Sequence, residues 1–238
     1  MSHKDPRISF TLLSIIALAF ALNLHGLATD SFWGDEILTA SFANQAPVEV
    51  IRWTADDIHP PLYYLLAGQF TRLTVPLGAS QTPNPASDWL WRFPSVAAVV
   101  LAVAVTYKTA YCILRTAIDG PRSTFYVLRS TSSAAALLLA LAPIAIKYGQ
   151  EARMHALFML FSALSTWLLF RAINRPGRWP RWLAYALALA ATIYTMYFGF
   201  LILAAHGGYV LAYAAQLSRK RHSPFAIRHS IFGFASAT

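Results

Sequence analysis

The stretch SSAAALLLALAPIAIKYGQEARMHALFMLFSALSTWLLF, Ser132 to Phe170, is two apolar runs joined by a charged knot. Ser133–Ile146 and Ala156–Phe170 are almost wholly apolar, and Gln150-Glu151-Ala152-Arg153 stands between them. An ionisable side chain at the centre of a membrane span costs about 2.5–3.5 kcal/mol on insertion scales. Such a knot therefore marks a turn facing water or a functional site. Two further charged outposts, Asp35-Glu36 and Asp57-Ile58-His59, bear on that choice.

Composition places the whole chain in a membrane. Of 238 residues, 57% are hydrophobic and 12% charged, and the mean hydropathy is +0.47. Those values exclude an ordinary soluble domain. A lone cysteine, Cys112, rules out a disulfide framework and a thiolate metal site. The net charge of +9 is confined to short segments between apolar runs, which reads as topology and not as a nucleic-acid surface.

Apolar runs predict an all-α, polytopic transmembrane helical bundle with spans at about 8–27, 93–114, 131–147, 153–171, 182–195 and 198–217. Lys4 and Arg7 precede the first run as they would in a cleaved leader, but the polytopic remainder needs an anchored start, so Ile8–Leu27 is read as a span. Basic clusters at Arg115, Arg122 and Arg129, at Arg171, Arg175, Arg178 and Arg181, and at Arg219, Lys220, Arg221 and Arg228 assign those loops and the N-terminus to the cytoplasm. The parity closes only if one apolar stretch before Arg115 does not cross. Leu62–Leu77 fits: Leu62, Leu66, Phe70, Leu73 and Leu77 share one helical face, while Gly68, Thr71 and Arg72 share another, the pattern of a helix lying in the interface. Residues 28–92 then form one outer loop. Asp30, Asp35, Glu36, Glu49, Asp56, Asp57, Asp88 and Glu151 gather on that side.

The clustered residue types offer a definite chemistry. Adjacent Asp35 and Glu36 point about 100° apart on a helix and can serve separate tasks. One carboxylate can act as general base beside a second that holds a cation or the acceptor. Asp35, Asp57, His59 and Glu151 carry oxygen and imidazole ligands suited to a divalent metal ion. Arg92, Arg153 and Lys147 are candidates for phosphate, the arginines through a bidentate fork. Trp33, Trp53, Tyr63, Tyr64, Trp89, Trp91, Tyr148, Tyr194 and Tyr197 fall at the outer boundary, as an aromatic belt does, and one or two of them could stack on a sugar. The set as a whole suggests group transfer from a lipid phosphate.

At these residues the chain resembles the GT-C membrane glycosyltransferases. It is similar to the glycosyltransferase family 39-like branch, with its dolichyl-phosphate-mannose protein mannosyltransferases and bacterial aminoarabinose transferases. The resemblance rests on Phe32-Trp33-Gly34-Asp35-Glu36, Asp57-Ile58-His59-Pro60-Pro61-Leu62-Tyr63-Tyr64, Arg92-Phe93-Pro94-Ser95 and Tyr148-Gly149-Gln150-Glu151-Ala152-Arg153-Met154, in that order, over roughly residues 8–217. It implies a polyprenyl-phosphate-linked sugar donor, a lipid, glycan or protein acceptor, juxtamembrane helices in the first periplasmic loop, and an inner-membrane protein with a periplasmic active site. Asp35 takes the place of the family's first-loop base or acceptor-orienting residue, and Glu151 that of its acidic residue after the third span. Two positions depart from the pattern: His155 replaces a frequent Tyr, and Met196 replaces His in a Thr-His-Tyr turn. The family runs longer, so the chain is expected to be its N-terminal part.

The resulting expectation is an inverting transferase with Asp35, Glu36 and Glu151 as catalytic carboxylates. His59, Arg92, Arg153, Tyr63 and Tyr197 are its expected substrate- and phosphate-binding groups. A transporter or lipid flippase would scatter charges through several spans at mid-membrane depth, and a membrane scaffold would tolerate loss of Asp35 and Glu151. If Leu62–Leu77 lies flat, single cysteines at Ser31 and Ser80, with Cys112 replaced, both label from the periplasmic side. Labelling at position 80 only after permeabilisation would overturn the topology.

Overall fold

A computed structural model describes residues 10–74, 85–117 and 123–221. The readings at Lys4, Arg7, Leu77, Ser80, Arg122 and Arg228 lie outside them. Ten helices follow in order: α1 Phe10–Leu24, α2 Gly34–Ala43, α3 Pro47–Ala55, α4 Leu62–Thr74, α5 Pro85–Ala117, α6 Ser123–Ala140, α7 Pro143–Gly149, α8 His155–Ile173, α9 Trp179–Thr195 and α10 Gly199–Arg221. There is no strand among the described residues. Met1–Gly199 and Phe200–Thr238 form two compact units. Of the second, one long helix is described.

Three helices are long and apolar enough to cross a membrane: Asp88–Thr116, His155–Ile173 and Gly199–Ser218. A fourth span results if Phe125–Ala140 and Pro143–Gly149, bent by 58°, are one broken crossing. The span expected at 131–147 falls on these two helices, which meet at a break. Pro143 has no N–H to continue the ladder and pushes Ala142 out of the helical region, to φ −65° and ψ 121°. The first expected span is a 15-residue helix, about 22 Å long at 1.5 Å per residue. Gly26, at φ 72°, supplies the left-handed turn just beyond its end. The span expected at 182–195 is a helix of 17 residues, about 25 Å long.

In the first unit, α5 is the central post, packed against α1, α6, α7 and α8, with α9 on the far side of α8. Small residues line these contacts: Ala98, Val99, Ala102 and Ala145 pack with Ala156, and Ala19 and Val103 with Ala136 and Ala140. Small side chains let apolar helices approach closely, which is how helices associate where lipid removes the hydrophobic drive. α5 and α8 run parallel. At one end Ser95 Oγ donates to the Arg153 carbonyl at 3.4 Å, and at the other Asn174 Nδ2 meets Cys112 Sγ at 3.7 Å.

α2, α3 and α4 cap the first of those ends. α4 packs on α2, α5 and α9 through Tyr63, Tyr64, Ala67, Gly68 and Thr71 and leaves Leu66 and Leu73 exposed. The small and polar face therefore turns to the protein and the leucine face turns outward. Its 13 residues cover about 20 Å, short of the roughly 30 Å hydrocarbon core. The approach to α2 is close enough that a Cβ on Gly68 would lie 2.1 Å from the Ala43 carbonyl oxygen. Arg72 fastens the same joint by donating to the Ala43 and Gln45 carbonyls.

Gly68→Ala is expected to destabilise by about 1–3 kcal/mol, since backbone must move to admit the methyl group. Gly207→Ala, where no atom lies within 4 Å of the new Cβ, should leave stability unchanged or slightly raised. Thermal unfolding in detergent distinguishes the two.

Candidate functional site

The cap is held to the bundle by one buried ion pair. Glu36, in the first turn of α2, is fully buried, and its two oxygens accept from Arg92 Nε at 2.9 Å and Nη2 at 2.7 Å. Arg92 lies on α5 and also donates from Nη1 to the carbonyls of Leu27 at 2.7 Å and Asp30 at 2.9 Å, while Phe32 covers its face at 5.2 Å. Glu36 Oε1 accepts a third bond, from the Ala152 backbone N–H at 2.7 Å. Glu36 accepts three hydrogen bonds and Arg92 donates four, the kind of compensation a buried charge pair requires. Arg92 and Glu36, expected as a phosphate ligand and a catalytic carboxylate, are bonded to one another and to backbone groups inside the protein.

The turn between α7 and α8 addresses a different partner with each residue. Gln150 Nε2 donates to the carbonyls of His25 at 2.7 Å and Leu22 at 3.3 Å, capping the end of α1. Gly149 makes room for this: a Cβ there would lie 1.8 Å from Asn23 Oδ1. Glu151 sits 3.9 Å from Lys147, and burial raises its pKa above the ordinary glutamate value of 4.5 against the pull of Lys147. Ala152 reaches Glu36. Arg153 Nη2 pairs with Asp35 Oδ2 at 3.2 Å, Nη1 donates to the Asp35 carbonyl at 3.3 Å, and the guanidinium lies 6.0 Å from the Trp33 ring centroid.

The Arg153 side chain is 8% exposed and Asp35's is 45% exposed. The arginine is thus a buried holder and the carboxylate an accessible group, with Oδ1 unpaired among the described residues. Arg153, expected as a phosphate ligand, holds Asp35 through Nη1 and Nη2, while its buried Nε has no hydrogen-bond partner among the described residues. The adjacent carboxylates Asp35 and Glu36 do diverge, each to its own arginine. Asp35 sits at the positive end of α2, whose first turn holds both acids.

The α3–α4 loop adds Asp57 Oδ2 and His59 Nδ1, paired at 3.1 Å and both partly exposed. Tyr63 and Tyr64 are buried. The Tyr63 hydroxyl lies beside Ser95 without a well-formed hydrogen bond, and burial lifts its pKa far above the ordinary tyrosine range. Tyr64 is pushed up to about 12 by burial, with Arg153 opposing and Asp57 and Asp35 reinforcing. Tyr63 is therefore a core residue and not an exposed sugar platform. Tyr197 is half-exposed, next to Met196, which packs on the core cluster of Tyr63, Tyr64, Ala152 and Met154. His155, its ring tilted by 30° against Tyr148 with centroids 4.4 Å apart, lies within electrostatic reach of Arg153, His59, Asp35 and Lys147.

The sequence placed Asp35, His59, Glu151 and Lys147 at this end, and there they stand with accessible polar atoms. It named Trp33 and Tyr64 only as boundary aromatics and His155 only as a departure from the motif, and it missed the Arg153–Asp35 pair. The His155 departure from the motif was the signal available for one of them. The four expected metal ligands do not converge: no group of three or more His, Cys, Asp or Glu side chains among the described residues is placed to hold a metal ion. Comparison with protein families, with curated proteins and with solved structures finds no match to this chain.

Removing half of the Glu36–Arg92 pair leaves a buried charge uncompensated, so Glu36→Gln or Arg92→Met alone should cost about 3–5 kcal/mol, and the double variant should recover part of that loss. Additive losses in denaturation would show that the two do not act as a pair. For Glu151 the folded chain binds the proton more tightly than the unfolded chain. Its stabilising contribution is full below pH 4.5 and is lost as pH rises through the elevated folded value. Glu151→Gln should remove that dependence and match or exceed wild-type stability at pH 7.

Proposed function

We propose that the chain transfers a sugar from a polyprenyl-phosphate donor to an acceptor hydroxyl at the periplasmic face of the inner membrane. The observation that carries the reading is Asp35: half-exposed, one oxygen fixed by buried Arg153 and the other free, at the membrane-boundary end of an apolar helical bundle. A general base must present an unpaired oxygen in fixed orientation to the proton it takes. Asp35 accepts the proton of the acceptor hydroxyl as that oxygen bonds to the anomeric carbon. The bond from that carbon to the phosphate oxygen breaks on the opposite side, and the electron pair leaves with polyprenyl phosphate.

The leaving phosphate falls to Lys147, an exposed ammonium at this rim held only loosely by Glu151 at 3.9 Å, since Arg92 is already engaged by Glu36. Arg153 acts on Asp35 by holding its orientation. The donor lipid enters from the surrounding bilayer, which the exposed leucine face of α4 adjoins. All eight acidic residues described belong to the segments at this end, whereas Arg115, Arg129, Arg171, Arg175, Arg178 and Arg181 lie toward the other. That polarity supports a periplasmic site under the positive-inside rule, and it disfavours a transport path, which would carry charges at mid-depth.

Transfer from a polyprenyl-phosphate-linked sugar, assayed in membranes bearing the chain, should fall by about 10²–10⁴-fold in Asp35→Asn with donor binding little changed. Lys147→Ala should instead raise the donor KM. Arg153→Lys should lower kcat and spare donor affinity, because the planar fork that positions Asp35 is lost. Near-normal turnover in Asp35→Asn would remove this residue from the mechanism.

A further inference from the structure

Away from this end, α1 and α6 enclose an open groove of about 740 Å³ that the transfer reaction does not use. It is lined by Thr11 and Leu18 of α1 and by Tyr126, Arg129, Ser133 and Leu137 of α6. Its volume falls in the roughly 300–1,000 Å³ range of small-ligand sites. The two helices run alongside one another from the basic end, so hydroxyls and the guanidinium lie toward that end and the leucines lie deeper. Arg129 rests 5.3 Å from the Phe125 ring centroid and pairs with no carboxylate among the described residues. A guanidinium on an apolar flank without a carboxylate calls for an anionic partner, and its planar fork matches phosphate. Tyr126 to Leu137 spans about 16 Å at 1.5 Å per residue, close to one leaflet of a roughly 30 Å hydrocarbon core.

We propose that this groove binds an anionic phospholipid of the leaflet at the basic end, its phosphate on Arg129 among the Thr11, Tyr126 and Ser133 hydroxyls and an acyl chain along Leu18 and Leu137. The site is separate from Asp35 and does not rest on the transferase reading. The lipid neutralises Arg129 and fills the space between α1 and α6, so it ties the first helix to the bundle from the side.

The test is a titration of the purified full chain in detergent with dioleoylphosphatidylglycerol and, separately, dioleoylphosphatidylcholine, read by bound lipid in native mass spectrometry and by the thermal unfolding midpoint. Wild type should bind the anionic lipid at least about fivefold more tightly than the zwitterionic one. Arg129→Gln should erase that preference, Arg129→Lys should keep part of it, and Ser133→Trp should block both lipids by filling the groove. Should Arg129→Gln fail to fold, Arg129→Lys and Ser133→Trp carry the comparison. Equal affinity for the two lipids in wild type, or undiminished binding in Ser133→Trp, would overturn the proposal. So would competition by millimolar inorganic phosphate alone, which would mark a headgroup-only site.

Discussion

The Glu36–Arg92 pair is the constraint on which the rest of the first unit depends. Four chain segments meet in it: α2 through Glu36, α5 through Arg92, the connection after α1 through the Leu27 and Asp30 carbonyls, and the α7–α8 turn through the Ala152 N–H. In a bundle whose helices meet through many alanines and valines, packing alone allows sliding along the contact. A buried charge pair does not, because any register shift leaves desolvated charge without its partner. Directionality, and not net attraction, is what the pair contributes.

That fixed frame explains how an accessible carboxylate can be held so firmly. Glu36 anchors the first turn of α2, and Asp35 rides beside it on the same turn. Ala152 is pinned to Glu36, which sets Arg153 one residue later against Asp35. Two consecutive acids and a residue pair in the turn thus form a ladder of two rungs, one buried and structural, the other opening to solvent. Loss of the inner rung would also loosen the outer one, because both ride on the same turn of α2.

Close backbone approaches do related work at two other points. Gly68 lets α4 lie against Ala43, and Gly149 lets Asn23 and the α7 end meet. Each removes a methyl group exactly where a cap helix or a turn must touch the bundle. The cap then turns its tyrosines inward, where burial keeps Tyr64 protonated up to about 12, and leaves its leucines facing outward.

Much of this was legible in the chain. Apolar runs and basic clusters pointed to an all-helical chain with helices long and apolar enough to cross a membrane and with its acids toward one end, because insertion energies and charge bias act residue by residue. The distinctive tetrapeptide Gln150–Arg153 was recognisable as a junction for the same reason. The break at Pro143 could have been read from its missing N–H, but an unbroken apolar run hid it. Which arginine serves which acid could not be read at all. Arg92 and Arg153 are chemically alike in sequence, and only the packing of α5 against the α7–α8 turn decided that one is sealed with Glu36 and the other set beside Asp35. Local composition determines where charge can reside; long-range contacts, 56 and 118 residues apart along the chain, determine which charges are spent on the fold and which are left to act.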